Sequence, residues 1–229
     1  MDMRSAVSPV PILSEGQTFG LNNDRSPIPK PSPYTWKRGF DLLFAVAALV
    51  FVAPLFVVIA LGLLLADGRP IFFRQKRVGH DGREFDCLKF RSMVKDADIR
   101  LKELLESSEE SRQEWAESQK LSNDPRIHRL GRVLRRSSLD ELPQFVNVLR
   151  GEMSVVGPRP ILRAETVRYG ADLPHYMAVR PGITGLWQVS GRNSISYEER
   201  VMLDVKYVRA ISPKTDAYIL MKTVRIVLS

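Results

Sequence analysis

The hydropathy pattern is dominated by an uncharged stretch over residues 42–66, LLFAVAALVFVAPLFVVIALGLLLA. At about 1.5 Å per residue, a helix of this length can cross the ~30 Å hydrocarbon core of a bilayer. A buried helix of a soluble domain is the alternative, but this stretch is long and apolar on every side. We therefore interpret it as a membrane segment.

Basic residues flank this segment on both sides, and positive residues prefer the cytoplasmic side of a membrane. Pro54 near its middle removes a helical hydrogen bond and allows a sharp bend. A hairpin that enters and leaves one leaflet keeps both basic flanks on one side, whereas a simple spanning helix does not. The pattern alone leaves both topologies open. The flanking residues are Lys37 and Arg38 before the segment, and Arg69, Arg74, Lys76 and Arg77 after it.

The rest of the chain divides into a tail and a folded region. Residues 1–33 are rich in Pro, Ser and Asn without a hydrophobic period, which predicts a disordered tail and not a signal peptide. Two β segments are predicted around the turn His80-Asp81-Gly82. One or two amphipathic helices are predicted over residues 95–120, and another helix from near Asp140 to a stop at Gly151.

The last third of the chain alternates between loop and helix patterns. Residues 180–193, RPGITGLWQVSGRN, are typical of a loop, and residues 196–210 are typical of a helix. The final segment, AYILMKTVRIVLS, is apolar with interspersed basic residues. It predicts an amphipathic helix on a membrane surface.

The charge of the chain points to an anionic partner. It has 34 Lys and Arg against 26 Asp and Glu, so nucleic acid, an acidic membrane surface or phosphorylated small molecules are all suitable. The single cysteine, Cys87, excludes an internal disulfide and fits a reducing compartment. The three histidines are scattered and form neither a zinc motif nor part of a Ser-His-Asp pattern.

Two adjacent carboxylates, Asp140 and Glu141, follow the arginines of LRRSSLDELPQ. Ser138 and Glu141 have capping-box spacing, and Asp140 as the cap would put Pro143 in the first turn. A helix N-terminus favours an ionised carboxylate, so we expect Asp140 to be charged. An ionised Asp can attack phosphorus, and a neighbouring Glu can bind Mg²⁺. On local pattern alone, capping is the more common role.

Other motifs are less specific. Gly157–Pro160 (GPRP) and Arg180–Gly182 (RPG) each place an arginine in a rigid turn, where it suits bidentate contact with phosphate. A solvated surface arginine is the alternative for either. Asp96-Ala97-Asp98 resembles the D-x-D motif of sugar-nucleotide glycosyltransferases, but it lies in a charged helical run that is typical of a solvated face.

Taken in order, the motifs WKRGFD, KFRSM, LRRSSLDELPQFVNVLRGEMSVVGPRP, VRPGITGLWQVSGRN and LDVKYV are much more specific than any one alone. They closely resemble the bacterial sugar transferases that start exopolysaccharide and glycan assembly, the monotopic polyprenyl-phosphate hexose-1-phosphate transferases. The resemblance covers roughly residues 34–229. It is strongest to the small members that consist of the catalytic core alone, such as the galactosyl- or glucosyl-phosphate transferases of rhizobial exopolysaccharide synthesis.

The resemblance implies a small α/β domain with a short β-sheet and amphipathic surface helices, attached to the bacterial inner membrane. Residues 34–68 would form a re-entrant helical hairpin, and residues 69–229 a catalytic domain facing the cytoplasm. The implied partners are a UDP-hexose, undecaprenyl phosphate and the membrane, with Mg²⁺ as cofactor and no nucleic acid. One departure is Ala53-Pro54, where many relatives have Ser-Pro, so the bend would depend on Pro54 alone.

The resemblance also implies roles for individual residues. Asp140 would be the nucleophile and Glu141 the Mg²⁺ ligand. One group would contact phosphates or orient the carboxylates: Lys89, Arg91, Arg135, Arg159 and Arg180. A second group would lie near the nucleotide or sugar: Gln188, Arg192 and Asn193.

Two other functions stay open. A membrane-bound glycosyltransferase would use Asp96 and Asp98 and release UDP, whereas phosphoglycosyl transfer releases UMP. A non-enzymatic basic module would bind a membrane or nucleic acid. Binders of single-stranded nucleic acid usually offer stacking aromatic residues on a basic face, and this chain offers few, since many of its aromatic residues lie in or beside the apolar segment.

Overall fold

The computed structural model describes residues 35–118, 121, 124–191 and 195–228, so the predicted tail over residues 1–33 lies outside the described residues. The described part is mostly helical with two short two-stranded sheets. Its helices are α1 (Thr35–Asp67), α2 (Ala97–Ser107), α3 (Glu109–Ser118), α4 (Arg129–Arg136), α5 (Gln144–Arg150), α6 (Thr166–Tyr169), α7 (Leu173–Met177), α8 (Leu186–Ser190), α9 (Tyr197–Arg209) and α10 (Pro213–Leu228). Its strands are β1 (Phe72–Val78), β2 (Glu84–Phe90), β3 (Ser154–Val156) and β4 (Gly182–Thr184).

The apolar segment forms one continuous helix, α1, with Pro54 inside it. By length and composition this helix can cross a membrane. The predicted arrangement of two helices with a break between them is not confirmed, because the helix continues through Pro54.

One stripe of α1 faces the rest of the protein. Asp41, Ala45, Ile59 and Leu63 are buried, at spacings that repeat with the helical period. The other faces carry exposed apolar side chains, with Phe51 86% exposed. A water-facing helix would have polar residues there, so these faces suit contact with lipid.

Both ends of α1 are attached to the same domain. Near its N-terminus, Lys37 Nζ donates to Asp216 Oδ2 in α10 at 2.5 Å, with both side chains buried. Asp41 Oδ1 accepts from a backbone N–H of β3 at 2.9 Å. At the other end, Arg91 donates to the Asp67 carboxylate at 2.7 Å. The helix therefore lies along the domain and does not project from it.

Strands β1 and β2 form the predicted antiparallel hairpin, with Phe72 opposite Phe90 and Val78 opposite Glu84. The connecting turn, His80–Gly82, includes Asp81 at φ 57° and Gly82 at φ 71°. Left-handed backbone at these positions is typical of Asp and Gly and explains why the turn was readable from the sequence.

One strand of the second sheet, β4, lies in the segment 180–193 whose pattern predicted a loop. Strand β4 pairs in parallel with β3, with Ser154 opposite Gly182, and helix α8 follows. The strands approach closely here, since a Cβ atom at Gly182 would overlap the backbone nitrogen of Gly157. The loop prediction is wrong over these residues, because a three-residue strand is too short to show a period.

The remaining helix predictions are confirmed. Residues 95–120 contain α2 and α3, residues 196–210 contain α9, and the C-terminal segment contains α10. Helix α9 begins with a capping box in which Ser196 Oγ accepts from Glu199 N at 3.1 Å and Glu199 accepts from Ser196 N at 2.8 Å. The predicted α/β class is confirmed in part, as a mostly helical domain with short sheets.

Candidate active site

The two adjacent carboxylates lie on a single 3₁₀ turn, Leu139–Glu141, immediately before α5. The preceding Ser138 has a left-handed backbone (φ 57°) and caps nothing with its side chain. Helix α5 begins at Gln144 after Pro143, without a side-chain cap. The capping interpretation of Ser138 and Asp140 is therefore wrong, and the predicted helix start near Asp140 comes four residues too early. Its predicted stop at Gly151 is confirmed.

The 3₁₀ turn is packed against the membrane helix. Leu139 and Leu142, on either side of the carboxylates, pack against a buried cluster that includes Ile59 and Leu63 of α1 and Leu134 of α4. Burial of apolar side chains contributes about 25 cal/mol per Å², so this contact fixes the turn at the surface of α1. The carboxylates consequently lie beside the apolar helix.

Lys89 of β2 is the nearest charged partner of the carboxylates. Its Nζ donates to Glu141 Oε1 at 2.6 Å, and both side chains are partly exposed. Helix α5 is held to the same strand by Asn147, whose Oδ1 accepts from Leu88 N at 3.0 Å. Asn147 Nδ2 donates to Asp86 O at 2.8 Å. These bonds set the distance between β2 and the turn.

Asp140 is 8% exposed, and burial raises the pKa of its carboxyl. Lys89 and Arg135 oppose the effect of burial on this pKa, whereas Glu141 adds to it. The sequence predicted that a helix dipole would favour the charged form. The direction of the shift is the reverse, because desolvation of the side chain is the largest influence on it.

A cleft lined by Glu141 gathers four predicted site residues, namely Lys89, Glu141, Arg159 and Gln188, whereas Asp140 is not among its described lining residues. It also contains two polar residues that were not predicted as site residues, Arg77 and Gln144. Gln144 lies within the LDELPQ motif, so its position was a usable signal. Arg77 belongs to a basic run on β1 that was interpreted only as a membrane flank.

Arg77 and Arg159 make this cleft electropositive. Arg77 Nη1 donates to Pro160 O at 3.0 Å, which fixes its guanidinium beside the GPRP turn. Burial lowers the pKa of Arg77, and the nearby charge of Arg159 lowers it further. The two guanidinium charges repel each other, an effect that Glu165, 3.5 Å from Arg77 Nη1, offsets in part and that an anion in the cleft would relieve further. The cleft is thus suited to a phosphorylated ligand.

The other predicted residues have different surroundings. Arg91 Nη2 donates to the Asp67 carboxylate and to the carbonyls of Asp67 and Gly68, so it fixes the C-terminal end of α1. Arg135 donates to Ser92 Oγ at 2.8 Å and lies near enough to Asp140 to influence its pKa. Arg180 donates to Gly151 O at 2.7 Å. None of these three is among the described residues that line the cleft.

Two predicted residues, Arg192 and Asn193, lie outside the described residues. The D-x-D pair lies elsewhere on the surface, where the exposed Asp96 accepts from Arg100 Nε at 2.8 Å within one helical turn. This arrangement fits the solvated face that the sequence favoured for Asp96 and Asp98.

The donor set of the cleft is compatible with magnesium. Within the described ranges no group of three or more His, Cys, Asp or Glu side chains could bind a metal ion on its own. Mg²⁺ needs only one or two protein carboxylates, because substrate phosphates and waters complete its shell. Glu141, at the edge of the cleft next to Asp140, fits that requirement.

Comparison with known proteins matches residues 32–229 to the family model described as bacterial sugar transferase. The chain is 50% identical over 192 residues to a UDP-galactose-lipid carrier transferase of Erwinia amylovora, covering 84% of this chain and 40% of that relative. It is 46% identical over 188 residues to the exopolysaccharide production protein ExoY of Sinorhizobium fredii, covering 82% of this chain and 83% of the relative. An undecaprenyl-phosphate galactose phosphotransferase of Salmonella typhimurium is 46% identical, with 84% of this chain and 40% of that relative covered.

Proposed function

The chain belongs to the bacterial sugar transferase family, and from this we propose that it transfers hexose-1-phosphate from a UDP-hexose to undecaprenyl phosphate and releases UMP. The names of the similar proteins from Erwinia and Salmonella support galactose as the sugar, with glucose as the second candidate. The name of the ExoY relative supports a role in exopolysaccharide production, and we place the proposed reaction at the first membrane step of that synthesis.

The proposed reaction has two displacements at one phosphorus atom. A carboxylate oxygen of Asp140 attacks the β-phosphorus of the UDP-hexose, and the bond from that phosphorus to the bridging oxygen breaks. UMP leaves with the electron pair, and the hexose phosphate is esterified to Asp140. An oxygen of undecaprenyl phosphate then attacks the same phosphorus. The bond to Asp140 breaks, which restores the carboxylate and yields undecaprenyl-diphospho-hexose.

The observation that carries this proposal is the position of the Asp140–Glu141 turn. Glu141 lines the electropositive cleft, the buried Asp140 directly precedes it, and Leu139 and Leu142 pack against the cluster that includes Ile59 and Leu63 of α1. One substrate is a diphosphate and the other is a lipid phosphate. A nucleophile at the border of both environments can reach each in turn. Such catalysis depends mainly on placement and charge neutralisation.

Side chains already present in the cleft supply most of that neutralisation. Lys89, Arg77 and Arg159 balance the charge of the diphosphate, and the burial of Asp140 keeps water from its carboxylate. Glu141 would hold Mg²⁺. When bound, this ion neutralises phosphate charge as the leaving group departs.

We also propose the re-entrant topology, with both ends of α1 on the cytoplasmic side. The support is that Lys37 at one end and Asp67 at the other both bind the same domain. A spanning helix would separate these two contacts by the thickness of the bilayer. The exposed apolar faces of α1 then lie in the inner leaflet, where the lipid acceptor resides.

The proposal is tested by measuring the nucleotide released from UDP-galactose and UDP-glucose in the presence of undecaprenyl phosphate and Mg²⁺. We expect lipid-dependent release of UMP from the wild type. Asp140→Asn should lose at least about a thousandfold of this activity, because it removes the nucleophile. Asp86→Asn is the matched control, since within the part of the chain that the structure describes that carboxylate forms one ion pair, with Lys76 of the neighbouring strand. Release of UDP, or an active and folded Asp140→Asn, would contradict the proposal.

The topology is tested with single cysteines in a Cys87→Ser background. We place them at residue 32 and at the exposed Arg69, on the two sides of α1. A membrane-impermeant maleimide should label both from the cytoplasmic side of inverted vesicles. Labelling of the two positions from opposite sides would show that α1 spans the membrane.

A further inference from the structure

Behind the cleft, five side chains form an alternating column of arginines and aromatic rings. In order they are Arg159, Trp187, Arg200, Tyr197 and Arg168. The guanidinium carbon of Arg159 lies 5.7 Å from the Trp187 ring centre, and that of Arg200 lies 4.9 Å from the centres of both Trp187 and Tyr197. Arg168 lies 4.5 Å from the Tyr197 ring at the exposed end. The column runs from the cleft wall to the outer surface.

The middle member of the column, Arg200, is buried at high cost. It is 8% exposed, and its Nε and Nη2 atoms have no hydrogen-bond partner in the described part of the chain. Its ion pair with Glu165, from Nη1 to Oε1, is long at 3.7 Å, and it is the one ion pair of Arg200 within the described ranges. Glu165 is shared with Arg77 of the cleft at 3.5 Å. A buried guanidinium with unpartnered N–H groups destabilises a fold relative to an apolar side chain.

The contacts of Arg200 indicate a role other than stabilising the fold. Its guanidinium covers the Trp187 ring, and this ring also lies under the guanidinium of Arg159. Arg159 itself lines the cleft. Arg200 therefore reaches the cleft wall through the indole and through Glu165, and the charge of buried Asp204 also acts on both Arg200 and Arg159. A planar group stacked on a ring restricts the tilt of that ring, and a lysine cannot do this equally.

We propose that Arg200 is a positioning residue that acts through Trp187 on Arg159 and thereby fixes the part of the cleft that binds the diphosphate of the sugar nucleotide. This rests on the proposed function for the identity of the ligand. If Arg200 has this role, its removal should weaken binding of the sugar nucleotide without lowering the stability of the fold. Removing Arg200 relieves the unfavourable burial of its guanidinium but weakens binding of the UDP-hexose.

The test compares Arg200→Met with Arg168→Met in the full-length protein. Arg168 is the matched control because it stacks on the same Tyr197 ring but does not contact Trp187. We measure KM for the UDP-hexose and for undecaprenyl phosphate, calorimetric binding of UDP, and the melting temperature. For Arg200→Met we expect KM for the donor and Kd for UDP to rise about tenfold, with KM for the lipid within twofold and the melting temperature unchanged or higher. For Arg168→Met we expect both KM values and the Kd for UDP to stay within twofold of the wild type. Its melting temperature should stay within two degrees of the wild type.

Wild-type affinity for UDP in folded Arg200→Met would overturn the proposal, as would an equal loss in Arg168→Met. If Arg200→Met does not fold, Arg200→Lys decides, because it retains the charge without the planar stacking. Weakened UDP binding in that variant supports the proposal, and wild-type binding overturns it. If the wild type binds UDP but releases no UMP, the proposed reaction fails, and the UDP measurements still decide the role of Arg200.

Discussion

At the scale of single residues, the protonation of Asp140 is set by opposing influences. Burial raises the pKa of its carboxyl, and Lys89 is the largest influence that lowers it. A nucleophilic carboxylate must be ionised, so activity is lost as the pH falls through this pKa. Because the pKa is raised, we expect the acid limb of the kcat/KM profile to lie at higher pH than an ordinary aspartate would give.

Removing Lys89 should move that limb further. In Lys89→Met the raising influences of burial and Glu141 persist while the largest lowering influence is lost. We expect the acid limb of the kcat/KM profile to shift to higher pH. Lys76→Met on the neighbouring strand is the control, since its partner is the exposed Asp86. An acid limb at the same pH in Lys89→Met and the wild type would show that Lys89 does not influence Asp140.

The structure brings some of the predicted site residues together and places others apart, for physical reasons. Lys89, Glu141, Arg159 and Gln188 line one cleft because they belong to segments that fold against each other. Arg91 was not separable from them by sequence, since an arginine that fixes a helix end and one that binds phosphate have the same local pattern. The direction of the Asp140 pKa shift depends on burial, which a linear sequence does not reveal.

At the scale of elements, Asn147 joins α5 to β2 and so places the carboxylate turn opposite Lys89. Its side chain is fully buried and satisfies both Leu88 N and Asp86 O of β2. Asn147→Leu would leave these two backbone groups buried without partners, at about 1–3 kcal/mol each. We expect a loss of about 2–4 kcal/mol in the free energy of unfolding, measured by denaturant titration in detergent.

The companion variant for this prediction is Glu152→Gln. Glu152 Oε2 accepts from Asn147 Nδ2 at 2.6 Å, but the bonds from Asn147 to the strand do not depend on it. We expect a loss of at most about 1 kcal/mol. Equal losses in Asn147→Leu and Glu152→Gln would show that the bonds to β2 contribute little.

Elements with a strong local signal were predictable and paired short strands were not. Helix α1 has a long apolar run, α9 has a capping box, and the β1–β2 hairpin has an Asp-Gly turn. Strands β3 and β4 have three residues each and meet only in the folded chain. Their pairing depends on glycines that allow close approach, a signal that is also typical of loops.

At the scale of the whole molecule, one buried ion pair connects the first described helix to the last. Lys37 Nζ and Asp216 Oδ2 are 2.5 Å apart, and Tyr207 OH donates to Asp216 Oδ1 at 2.9 Å. Asp216→Ala leaves the buried Lys37 charge without its partner, so we expect a loss of about 3–5 kcal/mol in the free energy of unfolding.

A double variant separates the pair from its surroundings. Lys37→Met with Asp216→Leu removes both charges, and we expect it to recover most of the stability that Asp216→Ala loses. Thermal unfolding of both variants in one detergent measures the difference. A double variant no more stable than Asp216→Ala would show that the charge of Lys37 is not the source of the loss.

The same ion pair has a consequence for how the protein is made. Its two residues are 179 positions apart. At about 5–20 residues per second, a ribosome adds Asp216 roughly 10–40 s after Lys37. During this interval the apolar helix has already emerged, while the partner for its basic end does not yet exist. Formation of this ion pair is therefore a late event of biosynthesis, and a nascent chain stalled before residue 216 should carry a lipid-bound helix whose Lys37 is not yet paired, although Asp41 already has its partner in β3.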